Sequence, residues 1–285
     1  MAQESLDLIE AMRAAAEAAN PITGRGIGYK LFSRGLIPSM ATSVMKRVYR
    51  LLKEARERGL IPWEWIVDET RSLERRQSWA DPAAYVRTVS RAYRRDFWKQ
   101  QPKRVEVWSE KGTVRGVLAP ALDKYGVGFR VMHGFGSATA IYDIANDDDG
   151  RSLIILYVGD YDPSGMYMSE EDIPQRLGQY GGDHVEVKRI ALLLNHVTSL
   201  PSFPASDKRN DPRYSWFVGN FGNQCWELDA LDPNDLRRLV ENAIKKEIEP
   251  VAWKRCAVVE KAEKQSLRTV LDNWKAPKRN RRPRA

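Results

Sequence analysis

The sequence predicts an α/β protein, a mostly parallel sheet with flanking helices, preceded by a smaller α+β domain of winged-helix type. Three observations predict it. From Val105 onward, short β-branched runs alternate with helical stretches, the order that sets parallel strands side by side through helical crossovers. Leu153-Ile-Ile-Leu-Tyr-Val158 is apolar throughout, as a strand covered on both faces must be. Before Pro102 the order is helix, helix, basic helix, strand. That is the order of a winged helix-turn-helix, whose basic helix enters a major groove.

In the front part, Leu6 to Ala19 is rich in Ala and Glu and reads as a helix stopped by Asn20-Pro21. A second short helix falls between Ile22 and Ile37, weakened by Gly24, Gly26 and Gly28. A third opens at Pro38-Ser39 and runs to about Arg58. Val44, Val48, Leu51, Leu52 and Ala55 share one face of it, Lys46, Arg47, Arg50, Lys53 and Arg58 dominate the rest, and Gly59 closes it. Trp63-Glu-Trp-Ile-Val67 reads as a strand and Asp81 to Gln100 as a long linking helix.

Beyond Pro102, strands are expected at Val105–Ser109, Phe129–Met132, Leu153–Val158, Val185–Leu192 and, shorter, Cys225–Leu228. Helices are expected at Gly112–Lys124, Ser137–Ala145, Ser169–Gln179 and from Asp232-Pro233 to about Glu247. Leu200–Arg213, rich in Pro, Ser and Asp, reads as a surface loop. The domain division expected is 1–104 for the helical, winged-helix part, 105–250 for the α/β part with its extension, 251–274 for a C-terminal helix and 275–285 for a disordered basic tail.

The 285 residues carry a formal net charge of +8. The charge is uneven: residues 1–104 are net +8, residues 105–274 net −6 and residues 275–285 net +6. A basic front and tail favour a polyanion partner, and the acidity gathers in the α/β part. The longest plain aliphatic run is Leu153–Leu156, far short of a membrane span. The first residues lack the basic-then-apolar order of a secretory signal. Cys225 and Cys256 lack metal-type spacing, which argues against a disulfide framework or a cysteine zinc site. A cytoplasmic setting is expected.

In open α/β sheets, active groups collect at the carboxyl ends of the strands. Two expected strands end in acids: Val105-Glu-Val-Trp-Ser-Glu110, and Leu153 through Gly159 into Asp160-Tyr-Asp162. If those strands are neighbours, three carboxylates meet and need a cation. Oxygen ligands without His or Cys suit Mg²⁺. Pro163 and Gly165 fit a tight turn just after the acids. Trp226-Glu-Leu-Asp229 reads as a strand end near the sheet, where Glu227 or Asp229 could join the acidic site but packing and capping are favoured. His133-Gly-Phe-Gly-Ser137 reads as a strand-to-helix connection with backbone N–H groups suited to phosphate.

An apolar strand running into Gly-Asp-x-Asp-Pro-x-Gly, with Glu110-Lys111 closing an earlier strand, resembles the Toprim domain. The resemblance is to the A subunit of topoisomerase VI and the related protein that makes meiotic double-strand breaks. It covers roughly residues 105–190 by motif and 20–250 by order of domains. It implies that Glu110, Asp160 and Asp162 bind Mg²⁺. That family sets a catalytic tyrosine in an upstream winged helix, in a motif of Arg, acid, aliphatic, aromatic, Tyr. Arg25-Gly-Ile-Gly-Tyr29 is similar at Arg, aliphatic and Tyr, and departs at Gly26 and Gly28. The resemblance makes Tyr29, Arg25 and Glu110 the catalytic set. It implies a homodimer in which the tyrosine of one protomer works with the metal site of the other. Lys46, Arg47 and Arg50 on the basic helix, and Arg71 after the wing, are the expected DNA contacts.

The function expected is therefore Mg²⁺-dependent DNA cleavage through a tyrosyl-DNA link, in a nucleoid-associated protein. The alternatives are a Toprim nuclease that uses water, or a DNA-binding protein of the same fold without cleavage. No Gly-x-x-x-x-Gly-Lys-Ser/Thr stretch occurs, so strand passage would require a separate ATPase partner.

Overall fold

The structure is a computed structural model in which residues 3–67, 78–132, 138–147 and 149–273 are described. In chain order the elements begin with α1 (Gln3–Ala19), β1 (Ile22–Thr23), α2 (Gly24–Ser33), α3 (Thr42–Glu57), β2 (Ile66–Val67) and α4 (Pro82–Ala92). Next come β3 (Lys103–Ser109), α5 (Thr113–Tyr125), β4 (Gly128–Val131), α6 (Ala138–Ala145) and β5 (Ser152–Val158). A helical run follows, made of α7 (Pro163–Tyr167), a π-helical stretch (Met168–Asp172) and α8 (Ile173–Gln179). The chain then forms β6 (Val185–Ala191), β7 (Phe203–Pro204), α9 (Tyr214–Phe221), β8 (Gln224–Cys225), α10 (Pro233–Glu247) and α11 (Pro250–Asn273).

Contacts group the chain into two compact units that cut across the division expected from the sequence. One contains Met1–Thr70 and Lys103–Glu247; the other contains Arg71–Pro102 and Ile248–Ala285. The second unit holds together because α11 draws back the residues that precede β3. Trp253 packs edge-on against Phe97 at 4.7 Å and Trp98 at 5.6 Å between ring centroids. The Tyr93 hydroxyl donates to Glu263 at 2.7 Å and Arg95 pairs with the same carboxylate at 2.5 Å. Those bonds explain why the long helix expected over Asp81–Gln100 stops at Ala92. Tyr93 is extended, with φ −57° and ψ 125°, and side-chain bonding takes over from helix propagation.

In the first unit, α1, α2 and α3 pack around one apolar core. Met12, Ile27, Leu31, Val48 and Leu51 lie at its centre. On α3 the buried residues are Met45, Val48, Leu51, Leu52 and Ala55, the expected face except that Met45 is buried and Val44 only half-buried. Lys46, Arg47 and Arg50 are left exposed. The expected strand at Trp63–Val67 is reduced to a 3₁₀ turn at Trp63–Trp65 and the two residues of β2. Pro62 opens that turn, and Trp63 is drawn under the Arg56 guanidinium, 4.3 Å from the ring. β2 pairs in parallel with β1.

The main sheet has four parallel strands in the order β4-β3-β5-β6. Every β5 residue after Ser152 is buried, which is why the sequence shows no alternation there. From β3 the chain turns to β4 on one side, then crosses to β5 on the other. The topological switch point is therefore between β3 and β5, where Ser109 lies beside Val158. Ligand sites of open α/β sheets fall outside the carboxyl ends at such a point.

The strand expected over Cys225–Leu228 lies outside this sheet. Gln224–Cys225 pairs antiparallel with Phe203–Pro204, and Leu228–Ala230 is a 3₁₀ turn. Trp226 instead exchanges backbone bonds of 2.8 and 2.9 Å with Tyr161, which brings the segment beside the end of β5. The expected helix at Ser169–Gln179 begins earlier, at Pro163, because Asp162 caps it.

Candidate functional site

Glu110 follows β3 directly, and Asp160 and Asp162 follow β5, so adjacent strands deliver all three acids to the switch point. They line one cleft of about 980 Å³. Glu227 and Asp229 line it as well, carried there by the Tyr161–Trp226 bridge. The sequence reading favoured packing and capping for those two residues over a place in the acidic site.

The loop carrying Asp160 and Asp162 is fixed from below. Asp162, 5% exposed, accepts a bond from the Gly165 N–H at 2.8 Å, an N-cap on α7. A Cβ on Gly165 would lie 2.4 Å from the Asp160 carbonyl oxygen, so the turn requires glycine. Arg189, on β6, spends all five of its N–H donors on this region. They reach the carbonyls of Leu192 (3.0 Å), Gly165 (2.9 Å), Gly159 (3.0 Å) and Asp160 (2.5 Å), and the Ser169 hydroxyl (2.8 Å). Burial pulls the Arg189 guanidinium below its ordinary value.

Cations are already present among the acids. Lys111 Nζ lies 2.9 Å from Asp160, 3.4 Å from Asp229 and 4.0 Å from Glu227. Burial works against its charge, but those three carboxylates outweigh burial and hold the ammonium well above its usual range. Lys208 Nζ lies 3.2 Å from Asp162. The Leu228 N–H donates to Asp160 at 2.8 Å. Glu110 has its carboxyl pushed up, first by burial and then by the nearby Asp160 and Asp162.

The donor chemistry suits a hard cation, yet among the described residues no three acidic, His or Cys side chains converge to hold one. Lysines take up the oxygens of Asp160 and Asp162. What remains fits an ion that one or two carboxylates share with a substrate phosphate, as Mg²⁺ usually binds.

The Arg25–Tyr29 turn is bonded to the same cleft. Thr23 caps α2, accepting from the Gly26 N–H at 2.8 Å, and donates its hydroxyl to Asp229 at 2.6 Å. Arg25 makes a two-pronged ion pair with Glu227, and Lys30 pairs with Asp232. The two departures from the tyrosine motif have a packing reason. A Cβ on Gly26 would meet Ile22 at 2.9 Å, and one on Gly28 would meet Met45 at 2.5 Å, so the glycines let α2 sit close against β1 and α3.

Tyr29 is 6% exposed. Its ring centroid lies 6.0 Å from the Arg25 guanidinium carbon. Burial, with Glu227 nearby, pushes its phenol up to about 12 despite Arg25. It lies beneath Arg25, which itself lines the cleft.

Lys46, Arg47 and Arg50 are absent from the cleft lining; Arg47 pairs with Glu4 at 2.9 Å. The same helix sends Tyr49, Leu52, Lys53 and Arg56 into the cleft. Arg71, with Arg75 and Arg76, lies outside the described residues, as do residues 133–137 and the basic tail 275–285.

No protein-family model, curated protein or solved structure matches this chain. Among the described residues, no helix is long and apolar enough to cross a membrane.

Proposed function

We propose that this chain is a DNA-cleaving protein, with a Toprim-type α/β domain and a winged-helix front, that cuts through a tyrosyl-DNA link. The observation that carries the reading is the joining of the Arg25–Tyr29 turn to acidic loops at the sheet's switch point, through Arg25–Glu227 and Thr23–Asp229. Arg25, Lys53, Lys111 and Lys208 offer cationic contacts to a phosphodiester entering that cleft.

In this reading the Tyr29 Oη attacks phosphorus, the P–O3′ bond breaks, and a 5′-phosphotyrosyl bond forms. The phenol loses its proton and the departing 3′-oxygen gains one. Arg25 favours the phenolate and meets the phosphate charge. Mg²⁺, held by Glu110 with a substrate phosphate, would neutralise charge on the phosphate oxygens. The same reading carries a homodimer, a nucleoid location and, for strand passage, a separate ATPase.

The test is plasmid DNA incubated with Mg²⁺ and quenched with denaturant. A covalent adduct is expected from the natural chain and none from Tyr29→Phe. Nicks or breaks without adduct would instead favour hydrolysis by water, and a mobility shift alone would favour binding without cleavage.

A further inference from the structure

Trp63 is 55% exposed and Tyr49 is 43% exposed. Both line the cleft, and neither belongs to the core of the helical front. Scattered exposed aromatics need no explanation, but two on one concave wall do. Lys53 and Arg56 stand on the same wall. Arg56 lies 4.3 Å from the Trp63 ring, close enough for a cation–π contact. The cleft lining therefore combines flat π-faces with positive charge. Successive aromatics beside basic groups form the usual platform for unpaired nucleotides, with bases on the rings and phosphates on the cations.

Size points the same way. A cleft of about 980 Å³ is at the upper end for small-molecule sites, enough for a nucleotide rather than a double helix. A continuous duplex keeps its bases stacked inside and can offer such a cleft only its phosphates. An unpaired nucleotide can offer both a base and a phosphate.

We propose that Tyr49 and Trp63 form a base-stacking wall, and that the cleft accepts DNA which is single-stranded or locally opened in preference to continuous duplex. The inference rests on reading the cleft as a DNA site, but not on Tyr29 being the nucleophile.

Fluorescence anisotropy without divalent cations tests it on the full-length chain, so that cleavage does not intervene. The probes are a labelled single strand, an intact duplex of the same sequence, that duplex with a central mismatched bubble, and an unlabelled mononucleotide as competitor. The single strand and the bubble are expected to bind at least about tenfold more tightly than the duplex. Trp63→Ala should weaken those two by roughly 5- to 150-fold, the range for one lost base–aromatic stack, and leave the duplex within about twofold. Trp63→Phe should recover most of the loss. Trp63 lies outside the cores, and an unchanged melting temperature verifies that each variant folds. Equal affinity for duplex and single strand, or an equal loss on all probes, overturns the stacking wall alone. Competition by the mononucleotide as effective as by the strand would assign the wall to a free nucleotide. No binding of any DNA overturns the DNA reading together with it.

Discussion

Lys111 Nζ lies 2.9 Å from the Asp160 carboxylate, a buttressing cation beside the first acid of the Asp-x-Asp. Asp229 and Glu227 lie at 3.4 and 4.0 Å from the same nitrogen. Removing the ammonium leaves Asp160 and Asp229 without that cation, while Glu227 keeps Arg25. Lys111→Met should therefore destabilise the protein by about 2–4 kcal/mol, slightly below the fully buried case because the side chain keeps some exposure. It should also open a cation site. Millimolar Mn²⁺ or Ca²⁺ is expected to raise the melting temperature of Lys111→Met more than that of the natural chain. Equal shifts in the two proteins would count against this role for Lys111.

Arg189 is a half-buried cation whose five donors meet four backbone carbonyls and one hydroxyl around the acidic loop. A lysine keeps the charge but offers three donors from a single point, so it cannot reproduce the fork. Arg189→Lys should cost about 2–4 kcal/mol in denaturant unfolding, because several buried carbonyls lose their partners at once. Arg189→Met should cost no less. A loss below about 1 kcal/mol for both would show that the loop holds itself.

These two residues mark where the sequence stops being legible. The parallel sheet could be read because β5 is apolar on both faces, and the acids at the switch point because Glu110 follows β3 directly and Asp160 follows β5 after one glycine. Arg189 sits in Val-Glu-Val-Lys-Arg-Ile-Ala, where one arginine beside a lysine looks like a solvated face; only the fold turns it under the loop. Lys208 lies in a segment that reads as plain surface loop, yet reaches Asp162. Glu227 and Asp229 arrive through a single backbone bridge, which leaves no periodic trace. Tyr49 and Lys46 lie three residues apart on one helix, and their spacing alone could not tell which stripe of α3 faces the cleft. The one signal available for Lys111 was its place directly after Glu110.

Gly165 gives a sharper local test. Its missing Cβ would lie 2.4 Å from the Asp160 carbonyl oxygen, which is backbone and cannot swing aside. Gly165→Ala must push the Asp160–Asp162 loop away from the first turn of α7. A loss of about 1–3 kcal/mol is expected from the overpacking, and adduct formation on plasmid DNA should fall by more than the folded fraction falls. Near-natural stability would mean that the turn has room the geometry does not show.

The Tyr29 phenol, pushed up to about 12 by burial and Glu227, predicts how adduct formation responds to pH. If the phenolate attacks, its fraction rises about tenfold per pH unit anywhere well below that value. Adduct formation in single turnover should climb steadily from pH 6 to pH 9 without levelling. A plateau near neutral pH would show that the phenol proton is not what limits the step.

The bonds that Thr23 and α2 make to residues 227–232 bear on which protomer supplies which group. Thr23 holds Asp229, Arg25 holds Glu227 and Lys30 holds Asp232, all within one chain. The resemblance implies the opposite, a tyrosine acting with the acids of a partner. To reach a partner, α2 would have to give up three polar links and the close packing of Gly26 and Gly28. A site completed within one chain needs none of that, and a dimer would then carry two such sites. Mixing Tyr29→Phe with Asp160→Asn protein separates the cases. Each variant alone should form no adduct. If the site is within one chain, the mixture stays inactive, because every tyrosine is paired with a damaged acid cluster or every intact cluster with a phenylalanine. If it is shared, mixed dimers regain one intact site and an adduct returns. The network predicts an inactive mixture, and a recovered adduct after subunit exchange would overturn it.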